Sequence, residues 1–543
     1  MSENNPLLPA GSYRLQGGIR LEQHGEQILA LSDYPLRVVR LKPTMARLLA
    51  LCTEPRTCMQ LAEVMKIPLK RVEALCDQLR WKGLLEAGPL LPPATWPTVS
   101  IIIPAYNRVC ELGRCLQSLL LQDYPARLEI IVVDDASTDN TCIMMEQYIQ
   151  KKLSEQVSLR LVRHRQRCGI GTSRNDGAAI AQHELLAYID SDCVASSNWL
   201  RELVPAFQQL AIGAVGGMIR AYERESLLGR YEDVRSSLFM GQRPQQVKPE
   251  GPLTYLPTAS FLVRRSLWQQ LGGFASISLG EDVDFCRRLL TSGAGILYLP
   301  QGVVYHDYRT TLPAFLRTRV AYASSEASLL LRHAVERRVL LLPPEPAIFA
   351  MSLIMGTTGI AYMSMAPTRG VTTLISPRRR RNNICSDTPC GCHARCHASR
   401  YHAIPQIFPF LIAVITCLVG SRRRLKALRV QQVPLGMMAV LKATVRGNLS
   451  YTYHLCRHLT RYYTLPALLI GLFMPPLFMC ILLMCAVVIG VDYVRLQPQM
   501  RVGAFALCAM LDDCAYEIGV AQGCIQRRTW KPLIPIIKNT VRT

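Results

Sequence analysis

Val99-Ser-Ile-Ile-Ile-Pro-Ala-Tyr-Asn107 and Leu128-Glu-Ile-Ile-Val-Val-Asp-Asp-Ala-Ser-Thr138 decide the fold. Each is an apolar, β-branched run of strand length that stops at polar residues, and neither alternates. Unbroken runs of this kind mark strands buried on both faces of a parallel sheet. Between them Leu112, Cys115, Leu116, Leu119 and Leu120 recur at helical spacing, so the three segments read as a βαβ unit. A further strand, Glu184-Leu-Leu-Ala-Tyr-Ile189, runs straight into Asp190. Sheets built this way bind ligands at the carboxyl ends of their strands, so the residues that follow each strand carry the functional reading.

In chain order those residues are Pro104-Ala-Tyr-Asn107, Asp134-Asp-Ala-Ser-Thr138, Asp190-Ser-Asp192 and, downstream, Gly280-Glu-Asp282. Burying a carboxylate unpaired is costly, so acids at the rim of a buried sheet are expected to meet a metal or a ligand. Two Asp one residue apart can put one carboxylate on a divalent cation and the other on a ribose or a metal-bound water. Mg²⁺ or Mn²⁺ suits hard oxygen donors shared with substrate phosphates. For Asp134 and Asp284 a helix N-terminal charge is the plainer reading. Cys193 and Cys286 lie beside the site with no basic partner and read as packing residues. His306, in Val303-Val-Tyr-His-Asp-Tyr-Arg309, is open between a metal or diphosphate contact and a hydrogen-bonded structural histidine.

Outside this sheet the 543-residue chain is 50% hydrophobic and 19% charged, which excludes a disordered protein. Mean hydropathy is +0.15 although 62 Lys+Arg outnumber 39 Asp+Glu, so apolar and basic residues are segregated, as membrane contact requires. Aromatics are only 7%, and the Arg clusters of the last third sit beside apolar stretches, so no nucleic-acid partner is expected. The 20 cysteines are scattered and the first residues show no signal peptide, which leads us to expect free thiols and a start in the cytoplasm.

Residues 1–92 read as a separate unit closed by the Pro-rich linker Gly88-Pro-Leu-Leu-Pro-Pro-Ala-Thr-Trp-Pro97. Strand-like runs at Gly18–Glu22, Gln27–Leu31 and Leu36–Leu41 precede helices starting near Pro43, Thr57 and Pro68, with a wing strand at Leu84–Glu86. That order suits a small α+β winged-helix domain. Beyond residue 345, apolar stretches at Ala347–Ala366, Ile404–Gly420 and Leu465–Gly490 are candidate membrane segments, and only the third is clearly long enough to span. Arg378–Arg381 and Arg422–Arg424 flank the middle stretch on both sides, so spans, a re-entrant hairpin at Pro475-Pro476 and interfacial helices all stay open. The Cys/His-rich insert at 376–402 (Cys385, Cys390, Cys392, His393, Cys396, His397, His402) leaves three readings: a zinc site, an irregular basic loop or a misread gene frame.

Val99–Thr138, Asp190–Trp199 and Phe274–Arg288 together resemble the signature blocks of family 2 inverting glycosyltransferases of the GT-A fold. The resemblance implies an α/β nucleotide-diphospho-sugar transferase domain over 98–330. By that resemblance Asp135 accepts from the nucleotide base, Pro104, Ala105 and Tyr106 form the loop beneath the nucleoside, and Arg174 is the donor-site arginine. Gly169 and Gly171 let the backbone approach the donor, Asp192 is the metal ligand and Asp190 supports it. Asp282 is the general base and Glu281 orients a neighbour. Phe315-Leu-Arg-Thr-Arg-Val-Ala-Tyr322 stands where processive synthases of the family carry Gln-X-X-Arg-Trp, which argues against a cellulose-synthase-like pore enzyme.

The N-terminal text, from Tyr13-Arg-Leu to Leu84-Leu-Glu86, resembles PqqD-like domains, in which a leader peptide adds a strand to a sheet edge. A PqqD-like domain ahead of a family 2 enzyme is similar to the glycosyltransferases of the mycofactocin system. The resemblance implies a nucleotide-sugar donor, a peptide-derived acceptor or precursor peptide, and glucose as the sugar. It leads us to expect a chain held at the cell membrane by the helical region 345–543, its catalytic domain facing the cytoplasm. The rivals are a membrane glycosyltransferase for cell-envelope polysaccharide or glycolipid and a winged-helix regulator. Only Lys70 and Arg71 favour the regulator, against Glu73 and Asp77 on the same helix.

Overall fold

The computed structural model describes residues 8–538 apart from 25–26, 34–35, 151–154, 250–252, 278, 334–338, 366–391 and 434. The chain divides into two units. One takes in the N-terminal segments, Val38–Val335 and Leu496–Thr529; the other is Glu336–Arg495 and Trp530 onward, with the short piece Asp33–Arg37.

The first unit is organised by an eight-stranded mixed sheet: β1 Val99–Ala105, β2 Leu128–Asp134, β3 Val157–Arg163, β4 Leu185–Tyr188, β5 Ile212–Gly216, β6 Gln245–Gln246, β7 Phe261–Arg264 and β8 Gly295–Tyr298, in the order β6-β8-β5-β7-β4-β1-β2-β3. β4, β1, β2 and β3 are parallel, and β7 is antiparallel to both its neighbours. All seven residues of β1 and of β2 are buried, as their unbroken apolar text predicts. Alternate side chains feed two cores. Ile101, Ile103 and Val132 meet Leu112 and Leu116 of helix α1 (Val109–Leu120) on one face, and Ile102, Ile131 and Val133 meet Ala178, Phe274 and Phe285 on the other. Helix α2 (Ile170–Ile180) rides so close to the sheet that a Cβ at Gly177 would stand 2.6 Å from Ile102 Cγ2. Helices α3 (Leu227–Arg235), α4 (Glu281–Thr291) and α5 (Leu312–Arg332) complete the surround of the strand ends.

The N-terminal residues form two three-stranded sheets and helices Pro43–Leu51, Cys58–Met65 and Leu69–Trp81, the second opened by a Thr57/Gln60 capping box. Ile19–His24, Gln27–Asp33 and Leu36–Leu41 make one sheet, with Leu36–Leu41 at its edge. The expected wing, Leu85–Ala87, instead pairs with Ser12–Leu15 inside the other sheet. The Pro-rich stretch does not act as a free tether. Trp81, Leu90 and Trp96 pack on the core of the large sheet, Gln209 Nε2 donates to Asp77 Oδ2 (3.0 Å) and Gln208 Nε2 to the Leu91 carbonyl (2.7 Å).

The C-terminal expectation needs correction in two places. Residues 345–543 are not one region: helix α6 (Val502–Gln526) belongs to the first unit, where it packs along α5. Gly519 and Gly523 permit this, since a Cβ on either would lie 2.3 Å from the carbonyl oxygens of Val320 and Ser324. The third apolar stretch is also divided. Helix Met437–Gly471, which carries Pro466 in its interior, ends before Pro475-Pro476, and helix Pro475–Leu496 begins there, proline being favoured in a first turn. Pro344–Met365 joins these helices around Ile354, Cys456, Ile481, Met484 and Val488, and Cys392–Val430 packs in a second cluster of Phe349, Ala413 and Cys417. Among the described residues, Pro475–Leu496 alone is both long and apolar enough to cross a bilayer, with mean hydropathy 2.5. Of the insert at 376–402, residues up to 391 and the side chains of the remainder lie outside the described residues.

Candidate active site

The strand ends open on a cavity of about 290 Å³. Pro104, Ala105, Tyr106, Asp135, Asp190, Asp192 and His306, all singled out in the sequence, line it; Arg174, Glu281 and Asp282 do not.

Asp135 follows β2 and is fixed by the loop into α2. Its Oδ1 accepts from the Cys168 N–H (2.7 Å), its Oδ2 from the Gly169 N–H (2.9 Å), and His164 Nδ1 lies 2.8 Å from Oδ1. Gly169 sits at φ +91°, a conformation L side chains rarely adopt. Burial is the largest single influence on Asp135 and pushes its pKa up, but the His164 and backbone hydrogen bonds together hold it below the ordinary carboxylate value. His164 in turn reaches Asp176 Oδ2 at 2.9 Å. The neighbouring Arg167 guanidinium stacks 4.3 Å from the Tyr106 ring centroid.

Arg174 corrects the sequence reading. It is 1% exposed, and its Nη1 and Nη2 reach Glu281 Oε1 (2.5 Å) and Asp190 Oδ1 (2.7 Å). It therefore ties the strand end at Asp190 to the start of α4, and it is not among the residues that line the cavity. Asp282, the next residue of α4, is half-buried. Burial above all, then the charges of Glu281 and Asp190, push its carboxyl up to about 7, with Arg174 and the Val283 N–H opposing. Asp284 stands in the first turn of α4, as a helix N-terminal charge does. It is wholly buried and paired with Arg288 (2.8 Å), Arg332 (2.8 Å) and His333 (2.9 Å). Asp134 is also buried, accepting from the Ser137 N–H (3.3 Å). Cys193 and Cys286 are buried, and burial pushes the Cys286 thiol up to about 12, as packing residues require.

A small sheet brings Asp192 and His306 together. Cys193–Ala195 pairs antiparallel with Val304–His306 in the register Cys193↔His306, so Asp192 stands beside the imidazole with Oδ1 3.5 Å from Nε2. Arg108 and Arg309 approach Oδ2 at 3.8 and 3.9 Å. His306 Nδ1 is buried without a hydrogen-bond partner. A carboxylate, an imidazole and the neighbouring Asp190 make a donor set that fits Mn²⁺ or Mg²⁺. Cys193 Sγ is the third ligand-type atom of the group, and burial pushes its thiol pKa well up.

The rest of the cavity wall has no role in the sequence reading, although Phe315–Tyr322 is singled out there for its departure from Gln-X-X-Arg-Trp. Phe315, Thr318, Arg319 and Tyr322 line it from α5 together with Glu232 and Tyr308. Their i, i+3, i+4, i+7 spacing is one helix face, and that periodicity was the available signal.

Residues 100–272 match the family model Glycosyl transferase family 2. The stretch that holds β1, β2, Asp135, Asp190 and Asp192 is thus similar to family 2 glycosyltransferases. Over 98% of its length the chain is 26% identical to the pre-mycofactocin glycosyltransferase of Mycobacterium tuberculosis, covering 99% of that protein. It is 25% identical to glycosyltransferase AglE of Haloferax volcanii, over 40% of this chain and 69% of that one. Among solved structures, the mannosyltransferase PcManGT from Pyrobaculum calidifontis in complex with GDP-Man and Mn²⁺ is 18% identical, covers 66% of this chain and 89% of its own, and superposes with a TM-score of 0.36.

Proposed function

We propose that this protein transfers glucose, with inversion, from a nucleotide-diphosphate sugar to a peptide-derived acceptor in the making of a mycofactocin-type redox cofactor. The observation that carries the reading is similarity to the mycobacterial enzyme over nearly the whole of both chains, N-terminal unit included. In the step itself an acceptor hydroxyl attacks the anomeric carbon, its oxygen forming the new bond as the bond to the diphosphate breaks. Asp282 takes the hydroxyl proton, and a single displacement inverts the centre. Asp192 and His306 stand where the diphosphate departs, and they are the residues that would hold a divalent cation. Such an ion, when bound, supplies positive charge to the leaving group. Arg108 and Arg309 add fixed charge at the same place.

Asp192→Ala is expected to weaken Mn²⁺ binding at least about tenfold, read by calorimetry, and to lower transfer with only partial rescue at high Mn²⁺. A variant fully active in EDTA removes the metal from this reading.

We also propose that the second unit rests in the cell membrane with the catalytic unit on its cytoplasmic side. The apolar helix Pro475–Leu496 supports this, as do Ile407, Leu411, Val414 and Leu418, exposed one turn apart just ahead of Arg422–Arg424.

The functional test incubates the full chain with a panel of nucleotide sugars and Mn²⁺ or Mg²⁺, with and without the peptide-derived acceptor, and reads product mass. A second arm measures binding of a precursor peptide to the full chain. The edge strand Leu36–Leu41 is expected to take the peptide as an added strand, so a proline at Val38, which deletes one backbone donor, should weaken binding. If the peptide is ignored and glycolipid acceptors are used instead, the cell-envelope reading replaces this one.

A further inference from the structure

The cavity has two halves. Strand-end residues build the donor half up to Asp192 and His306; α3 and α5 build the other. In that second half Arg319 is 4% exposed and sits over the Phe315 ring at 4.9 Å from its centroid. Its Nη2 donates to Glu232 Oε2 (2.6 Å), its Nη1 approaches Ser237 Oγ (3.4 Å), and its Nε lies 3.2 Å from Asp512 Oδ1. Asp512, 3% exposed, also accepts from the Tyr231 hydroxyl at 2.9 Å. It comes from α6, a helix that returns to the first unit after the segment Glu336–Arg495, and one whose backbone touches α5 at Gly519 and Gly523.

We propose that Asp512 is a positioning residue for the acceptor side of the transferase site, holding the Arg319 guanidinium in the cavity wall so that the α5 face Phe315, Thr318, Arg319 and Tyr322 presents one fixed surface to the acceptor. A guanidinium is a planar fork, and one carboxylate leaves it free to pivot. Glu232 holds it through a hydrogen bond and Asp512 faces its Nε as an ion pair, while the Tyr231 hydroxyl fixes the second oxygen of Asp512. An unpaired carboxylate in a mostly apolar helix would be costly, and Asp512 is buried against Arg319 and Tyr231. This inference rests on the cavity being a sugar-transfer site and is independent of which acceptor is natural.

The test uses the full chain, UDP-glucose as donor and p-nitrophenyl glucoside as acceptor probe, with separate KM values for each. Asp512→Asn keeps the shape and removes the charge; it is expected to raise the acceptor KM about tenfold while the donor KM moves less than about twofold. Asp512→Glu should recover part of the loss. Combined with Arg319→Lys, the loss should fall well short of the product of the single effects, because both act through one contact. If Asp512→Asn does not fold, Tyr231→Phe, which removes one hydroxyl, should still raise the acceptor KM selectively. An unchanged acceptor KM, parallel rises in both KM values, or multiplicative effects in the double variant overturn the proposal and leave the transferase reading standing. A wild type that uses no nucleotide sugar at all brings both down.

Discussion

Asp282→Asn is expected to lose at least about 100-fold in transfer rate while donor affinity and metal binding hold, since the amide keeps the shape of the carboxylate and cannot accept the acceptor's proton. The pH profile carries the sharper signature. With its carboxyl pushed up to about 7, Asp282 is ionised in only about a tenth of molecules one unit lower. Wild-type transfer should therefore rise about tenfold per pH unit up to neutrality and level off above it, and the Asn variant should lack this limb. Glu232→Gln serves as the control, because Glu232 is a carboxylate that does line the cavity. If that variant, and not Asp282→Asn, abolishes the limb, the base is Glu232.

The same shift predicts a stability change of definite sign. A carboxyl whose folded pKa stands above its ordinary 3.8 binds its proton more tightly in the folded chain. Its contribution is favourable below pH 4 and is lost as pH rises toward 7. Asn cannot ionise, so the variant should melt above wild type at pH 8 and together with it near pH 4. A base that costs stability at the pH where it works is expected of a catalytic carboxylate, because burial and like charge are what raise it.

What the sequence made legible follows from how local each signal is. The strands around Val99–Ala105 and Leu128–Asp134 are spelled by contiguous apolar residues, and Asp135, Asp190 and Asp192 stand directly after strands, so pattern alone places them at the cavity. His306 reaches Asp192 through a register between strands far apart in the chain, and motif spacing left its role open. Arg174 was misread because its function depends on Glu281, 107 residues away, and a buried bridging arginine has the same text as a ligand-binding one. The acceptor face of α5 mixes Phe, Thr, Arg and Tyr, which reads as an ordinary amphipathic helix. For α6 the overlooked signal was chemical: Asp512, Asp513 and Glu517 in an otherwise apolar helix need partners, and a membrane setting would not supply them.

Arg174→Met should destabilise the first unit by roughly 3–5 kcal/mol, the cost of leaving buried carboxylates without their counter-charge. Methionine fills much of the volume, so the loss would be electrostatic and readable by urea unfolding. Arg174→Lys should fall between, because an ammonium cannot fork to Glu281 and Asp190 at once. A stability loss alone would suit any buried arginine, but Arg174 is also the cation that holds Asp282 down against burial and two neighbouring carboxylates. Without it the protonated form of Asp282 is further favoured, so in Arg174→Met the rising limb of the pH–rate profile should move above neutrality, and in Arg174→Lys it should move less. A donor-contacting arginine would behave otherwise, raising the donor KM with the limb in place and stability near wild type. The two roles separate because the guanidinium, 1% exposed, is paired through both terminal nitrogens with protein carboxylates and is not among the residues lining the cavity.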